Sequence, residues 1–238
     1  MLLSALQSGS EGIVQILMML IIVIFSLSAH EAAHAYAAYK LGDPTAYNLG
    51  RITMNPLRHL HPVGFLSMLL VGIGWANPVP INPRNFKNPR RGMMLSSLAG
   101  PVSNLLIAII ATFLEALVSF IYSIAATGGS IAPTTYYLFY AATLFFYCFA
   151  YLNFSLAFFN LIPCPPFDGS RIFFYFLPKR WYFKVMQYER YLGFAVLILI
   201  LLLSRLDLDP VSFIAGNIHD LTYKPFGKFF RSILELIF

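Results

Sequence analysis

Apolar positions along this chain do not alternate with polar ones. They run together in blocks, separated by short stretches rich in proline, glycine or basic residues. The first block, Gly12 to Tyr39, has no Pro or Gly between Ile13 and Leu41 and predicts one helix, which Gly42-Asp43-Pro44 ends. It is longer than the ~20 residues needed to cross a bilayer core. A second block predicts a span from Gly92 to about Ala126, and a third from about Thr135 to Ile162, the two joined by the polar turn Thr127-Gly128-Gly129-Ser130. A fourth, about Tyr188 to Leu203, has a shorter apolar core and needs Arg190 and Arg205 to reach back to the interface. Residues 210–238 place Phe229, Ile233, Leu236 and Ile237 on one helical face and Lys228, Arg231 and Glu235 on the other, the pattern of a helix lying in the membrane surface.

Residues 42–91 break this rhythm. They are too rich in Pro, Gly and Asn for a long helix, and their apolar patch, Val63 to Ala76, is interrupted by Gly64, Gly72 and Gly74. It is too short for a span and predicts a re-entrant or interfacial segment, with extended or hairpin pieces at Leu49–Met54 and Val79–Asn82. Irregular backbone at membrane depth needs protein or water beside it, so this segment is expected to wall a water-accessible cleft. In the second block, Ala99-Gly100-Pro101 breaks helix rules while its small residues allow close helix approach. Asn104 is expected to face the bundle interior, as a helix–helix hydrogen bond or a substrate contact. Glu115, 24 residues past Arg91, is expected at the opposite interface.

Composition sharpens the class. The chain has 238 residues, 58% hydrophobic and only 11% charged, which excludes a soluble domain and predicts an all-α polytopic membrane protein. No basic residue precedes Lys40, so the first block is expected to be a retained span and not a cleaved signal. Cys148 and Cys164 lie in or beside apolar segments and form no disulfide framework. The net charge of +6 comes from loops beside the spans, which speaks for topology and against a nucleic-acid partner. Lys40, Arg51, Arg58, Arg84, Lys87, Arg90 and Arg91 form one basic loop; Arg171, Lys179, Arg180, Lys184 and Arg190 form another. Both are expected on the cytoplasmic side.

The chemistry gathers at the end of the first block, in His30-Glu31-Ala32-Ala33-His34. Residues four apart on a helix share a face, so two imidazoles converge on one point with a carboxylate beside them. Ionisable groups inside an apolar span need a compensating partner, and a metal supplies one. At the end of the third block, Pro163, Pro165 and Pro166 forbid helix and lead into Asp168-Gly169, with Gly169 as a pivot. Asp168 is either a metal ligand on an unwound span end or the N-cap of the next helix. Taken as a ligand, it completes a His30, His34, Asp168 set that leaves a fourth zinc position open for water or a substrate carbonyl, with Glu31 as general base. His59 and His61, beside Pro62, are expected at the surface or interface; His219 stands alone and is expected to be structural.

Together these residues resemble the site-2 protease family of intramembrane zinc metalloproteases, in its short bacterial and archaeal form. The resemblance is carried by His30 to His34, by Gly74-Trp75-Ala76-Asn77-Pro78-Val79-Pro80-Ile81-Asn82-Pro83, by Ala99-Gly100-Pro101 with Asn104, and by Asn160 to Pro163 with Pro166 to Gly169, in family order over about residues 28–170. It implies a three-helix catalytic core (about residues 12–177 of a single domain, 1–238) with a re-entrant or extended segment, a further C-terminal span and an amphipathic helix. It implies one zinc ion per chain on His30, His34 and Asp168, Glu31 as catalytic base, and Asn160 as a group holding substrate or its oxyanion. It also implies cleavage of transmembrane protein substrates in a prokaryotic cell membrane, near the cytoplasmic face. His61 and Cys164 depart from the family pattern, and no PDZ or nucleotide-sensing domain is expected. Two other readings remain. One is an idle zinc-binding scaffold, for which Glu31 has no use. The other is a divalent-metal transporter, for which the later spans offer little beyond Asn104, Asn153 and Asn160.

Overall fold

The structure is a computed structural model that describes residues 10–71, 76–127, 129, 131–178, 180, 187–205 and 210–237. Of the residues discussed above, Gly72, Gly74, Trp75, Gly128, Ser130, Lys179 and Lys184 lie outside that set, as do the side chains of Arg190 and Arg205. Eight α-helices occur among the described residues: α1 Ser10–Lys40, α2 Thr45–Asn48, α3 Pro62–Val71, α4 Pro89–Thr127, α5 Pro133–Asn160, α6 Asp168–Phe176, α7 Glu189–Arg205 and α8 Pro210–Ile237. Three are long and apolar enough to cross a membrane: Gly12–Lys40 within α1, α4 and α5. The fourth expected span is a helix, α7, but only 17 residues long. The all-α, polytopic expectation therefore holds.

Segment 42–91 carries more helix than its composition suggested. The described residues 63–71 of the patch expected as re-entrant lie in α3, a helix ten residues and about 15 Å long, shorter than a span. The single 3-10 turns Pro56–Arg58 and Pro83–Asn85 each open on proline, with Asn55 and Asn82 side chains accepting the Leu57 and Arg84 amides at 3.1 Å. No strand or hairpin forms at the expected places among the described residues, although Asn82 is extended (φ −103°, ψ 105°). Leu49 and Gly50 form a turn, 77–82 is irregular, and the only bridge is Leu60 with Ala76. In 77–82 the reason is chemical: Pro78 and Pro80 remove alternate amides a strand would need.

One side chain ties this segment to α1. Asp43 is fully buried just past Gly42, whose φ of 107° ends the helix. Its carboxylate accepts from the Asn82 amide at 2.7 Å, the Asn85 side chain at 2.6 Å, the Thr45 amide at 3.1 Å and the Thr45 hydroxyl. Burial pushes the carboxyl pKa up, and these four donors more than reverse that, leaving it below its ordinary value.

Helix α4 begins three residues before the expected start and runs unbroken through Gly100-Pro101. Proline inside a spanning helix is tolerated where neighbouring groups re-satisfy the backbone.

The chain divides into two compact units, Met1–Asn104 with Ala157–Asp209, and Leu105–Leu156 with Pro210–Phe238. In the second, α8 packs Phe230 at 5.6 Å from Phe113 and 5.0 Å from Phe120, and Phe226 at 5.4 Å from Phe113. The buried face of α8 thus runs through Ala215, His219 and Phe230, while Phe229 and Leu236 of the apolar face expected to meet the membrane surface are exposed. His219 is a polar member of the buried stripe. Its Nε2 lies 2.7 Å from Glu115 Oε2, so Glu115 is a buried partner and not an interfacial charge.

Candidate active site

Helix geometry places His30 and His34 one turn apart on α1, both buried, with ring centroids 4.5 Å apart and planes at 89°. Each ring is held from behind by α4. His30 Nδ1 meets Asn104 Oδ1 at 2.5 Å, and His34 Nδ1 meets the Ser96 carbonyl at 2.7 Å. Both partners are acceptors, so both Nδ1 atoms carry the proton and both Nε2 atoms of the neutral rings present lone pairs. Those two nitrogens are 3.0 Å apart. Gly100 makes the close approach possible: a Cβ there would stand 2.5 Å from His30 Cε1 and from His34 Nε2.

Asp168 arrives from α5. The helix ends at Asn160, and the proline run carries the chain through turns in which Cys164 N–H donates to Ile162 O at 2.7 Å and Phe167 N–H to Cys164 O at 3.1 Å. Phe167, extended at φ −74° and ψ 155°, is the N-cap of α6, and Asp168 is the first helical residue. Its side chain is therefore not the cap. Gly169 is required for packing and not as a pivot: a Cβ on it would lie 2.3 Å from the Leu161 carbonyl oxygen.

Asp168 Oδ2 stands 3.1 Å from His30 Nε2 and 3.2 Å from His34 Nε2. It is buried and has no hydrogen bond. As a carboxylate, Asp168 offers only lone pairs to this point. Three electron-rich atoms thus form a triangle with sides of 3.0, 3.1 and 3.2 Å. Acceptors facing one another at that distance repel unless a cation lies among them. Tetrahedral zinc with bonds of 2.0–2.2 Å sets its ligands about 3.3 Å apart, so the donor set and its spacing fit that ion. His30, His34 and Asp168 are also the only group of metal-ligating side chains found together among the described residues.

Glu31 lies beside this triangle. Its Oε2 accepts the Val79 amide at 2.9 Å, a donor isolated between Pro78 and Pro80. A cavity of about 340 Å³ is lined by the three triangle residues, Glu31, Asn160 and Arg171 among others. Asn104 is fully buried behind His30 and is not part of that lining, so of its two expected roles the structure gives the interior hydrogen bond. His59, expected at the surface, is buried, with Nε2 at 2.9 Å from Thr53 O; His61 Nδ1 accepts the Gly64 amide at 3.2 Å and caps α3. Sequence reasoning did not find Ser96, Gly100 as an imidazole rest, or Asp43. The apolar neighbours of Asp43 hid nothing, but only its distant partners reveal its work.

The sequence profile of peptidase family M50 matches residues 18–203, most of the chain. The chain belongs to peptidase family M50. The kinship with site-2 proteases read from the motifs is borne out, and the protein is a peptidase. Over 184 residues it is 42% identical to the candidate zinc metalloprotease YwhC of Bacillus subtilis, a match covering 76% of this chain and 78% of that one. It is 33% identical over 92 residues to the candidate zinc metalloprotease Rip2 of Mycolicibacterium smegmatis, covering 37% and 35%. With Rip2 of Mycobacterium tuberculosis it shares 30% identity over 151 residues, covering 61% and 52%. No solved structure matches the chain significantly.

Proposed function

We propose that this protein is an intramembrane zinc metalloendopeptidase that hydrolyses peptide bonds in or near transmembrane segments of membrane-protein substrates. His30 Nε2, His34 Nε2 and Asp168 Oδ2 would hold one zinc ion per chain. The observation that supports this most is the buried triangle of acceptors with Glu31 beside it. Zinc bound there would lower the pKa of a water molecule to about 7 and polarise the scissile carbonyl. Glu31 takes the proton from the attacking water and returns it to the leaving amine. Asn104 and the Ser96 carbonyl fix the ring orientations of the two histidines. Asn160, on the cavity wall, holds the substrate carbonyl.

A peptide bond in a helix is shielded by its own hydrogen bonds, so substrate must unwind before it reacts. The non-helical 77–82 segment over Glu31 supports docking of an extended substrate there. Crosslinks of a trapped substrate confined to α7 would overturn that part. The basic residues Arg84, Lys87, Arg90 and Arg91 before α4 support a cytoplasmic-side active site in a prokaryotic cell membrane. All the catalytic candidates fall in one of the two compact units.

The test is Glu31→Gln in the full chain, co-expressed with single-span membrane proteins. Zinc content is expected to stay at the wild-type level while cleavage falls by about 10²–10⁴-fold, the usual contribution of a general base. The same variant should trap uncleaved substrate for identification. Undiminished cleavage overturns the mechanism, and zinc retained without any cleavage by the wild type favours the scaffold reading.

A further inference from the structure

Helix α6 has only nine residues and carries Asp168 at its first position. A helix this short does not hold itself together by backbone bonds alone. Its packing is also thin: Phe174 is buried, but Phe173 and Phe176 are exposed. The N-terminal end is anchored by Gly169 against Leu161 and by the Ser170 hydroxyl, which donates to Phe167 O at 2.7 Å. The C-terminal end is gripped by a side chain from the first turn of α4. Arg90 Nη2 lies 3.1 Å from Phe174 O and 2.6 Å from Tyr175 O, and it also donates to Leu177 O. The guanidinium carbon stands 5.9 Å from the centre of the Tyr175 ring.

The carbonyls of a last helical turn have no partners within the helix, and the helix dipole places partial negative charge on them. A guanidinium answers both needs at once, and its planar fork reaches several acceptors where an ammonium offers a point charge. A stiff rod pinned at one end still pivots; pinned at both ends it does not. Metal ligands must hold their distances within ~0.2 Å. We propose that Arg90 is a positioning residue for Asp168: by gripping the far end of α6 it aims the carboxylate at His30 and His34. This inference rests on the reading of Asp168 as a metal ligand.

The test uses the full-length protein in lipid nanodiscs, titrated with Zn²⁺ against a competing chelator and with Co²⁺ followed by visible absorption. The variants are R90Q, R90K, D168N and the double variant R90Q/D168N. R90Q is expected to weaken Zn²⁺ binding about tenfold, the low end of the range for residues that support ligands. R90K restores part of that loss, and the Co²⁺ spectrum of R90Q moves toward that of D168N. In the D168N background, R90Q changes affinity less than about twofold, because the route through Asp168 is gone. A merely structural Arg90 lowers the unfolding temperature without these metal effects. The proposal is overturned if R90Q and R90K keep wild-type affinity and spectrum, or if R90Q weakens D168N as much as wild type. Should R90Q fail to fold, R90K and R90K/D168N carry the same comparison. If D168N alone leaves Zn²⁺ affinity unchanged, the ligand assignment itself falls, which is a separate result.

Discussion

Two of the buried polar clusters in this apolar protein are built on opposite logic. In the Leu105–Leu156 and Pro210–Phe238 unit, His219 Nε2 and Glu115 Oε2 meet at 2.7 Å. Donor faces acceptor, and the pair is complete. In the other unit, His30, His34 and Asp168 bring three acceptors together, and one buried oxygen lacks a hydrogen bond. The first cluster satisfies itself; the second asks for a cation. Polarity inside a membrane protein marks chemistry only when its own partners leave it incomplete.

That contrast can be broken most sharply at Gly100. Gly100→Ala places a methyl group 2.5 Å from His34 Nε2, the atom proposed to bind zinc. Zn²⁺ affinity measured by chelator competition is expected to fall beyond the ~10–100-fold that supporting residues usually control, with cleavage lost in parallel. Wild-type affinity in this variant would show that the rings are not held where the triangle needs them. A smaller loss, within about 10–100-fold, is expected for Asn104→Ala, which frees His30 Nδ1 to take either tautomer while leaving the fold intact. Glu115→Ala sharpens the comparison from the other side. It should destabilise the protein by about 1–3 kcal/mol in thermal or denaturant unfolding, as a buried donor loses its acceptor, and leave Zn²⁺ affinity unchanged.

The mildest effect is a pH dependence. Burial pulls the His219 pKa down, but the Glu115 carboxylate more than reverses this and leaves it raised. A group whose pKa is higher in the folded state stabilises fully below its unfolded value, about 6.5. That stability is lost as pH rises through the folded value. Unfolding temperature should therefore decline with pH above about 6.5, and His219→Gln should remove that component of the slope. A slope identical in both proteins would assign the dependence elsewhere.

The same contrast explains what could be read in advance. His30, Glu31 and His34 were legible because a helix converts a four-residue interval into a shared face, so geometry follows from local order alone. Asp168 was legible because three prolines in four residues have no helical use. The Glu115–His219 pair spans 104 residues of sequence, and no local periodicity encodes such a meeting. Asn104, Arg90 and Asp43 were visible as polar residues, but their roles depend on what folds against them. Segment 42–91 was misjudged for a different reason. Its prolines, which argued against helix, stand at the first positions of Pro56–Arg58, Pro62–Val71 and Pro83–Asn85, where a missing amide does no harm.

Helix α1 ends at Lys40, six residues beyond His34. That interval is about 9 Å of rise, against a hydrocarbon slab of about 30 Å. On the proposed function, water would descend only about a third of the slab to reach His34, and a target helix would fray just about its last two turns, so the ease with which that end comes apart would set which proteins are cut.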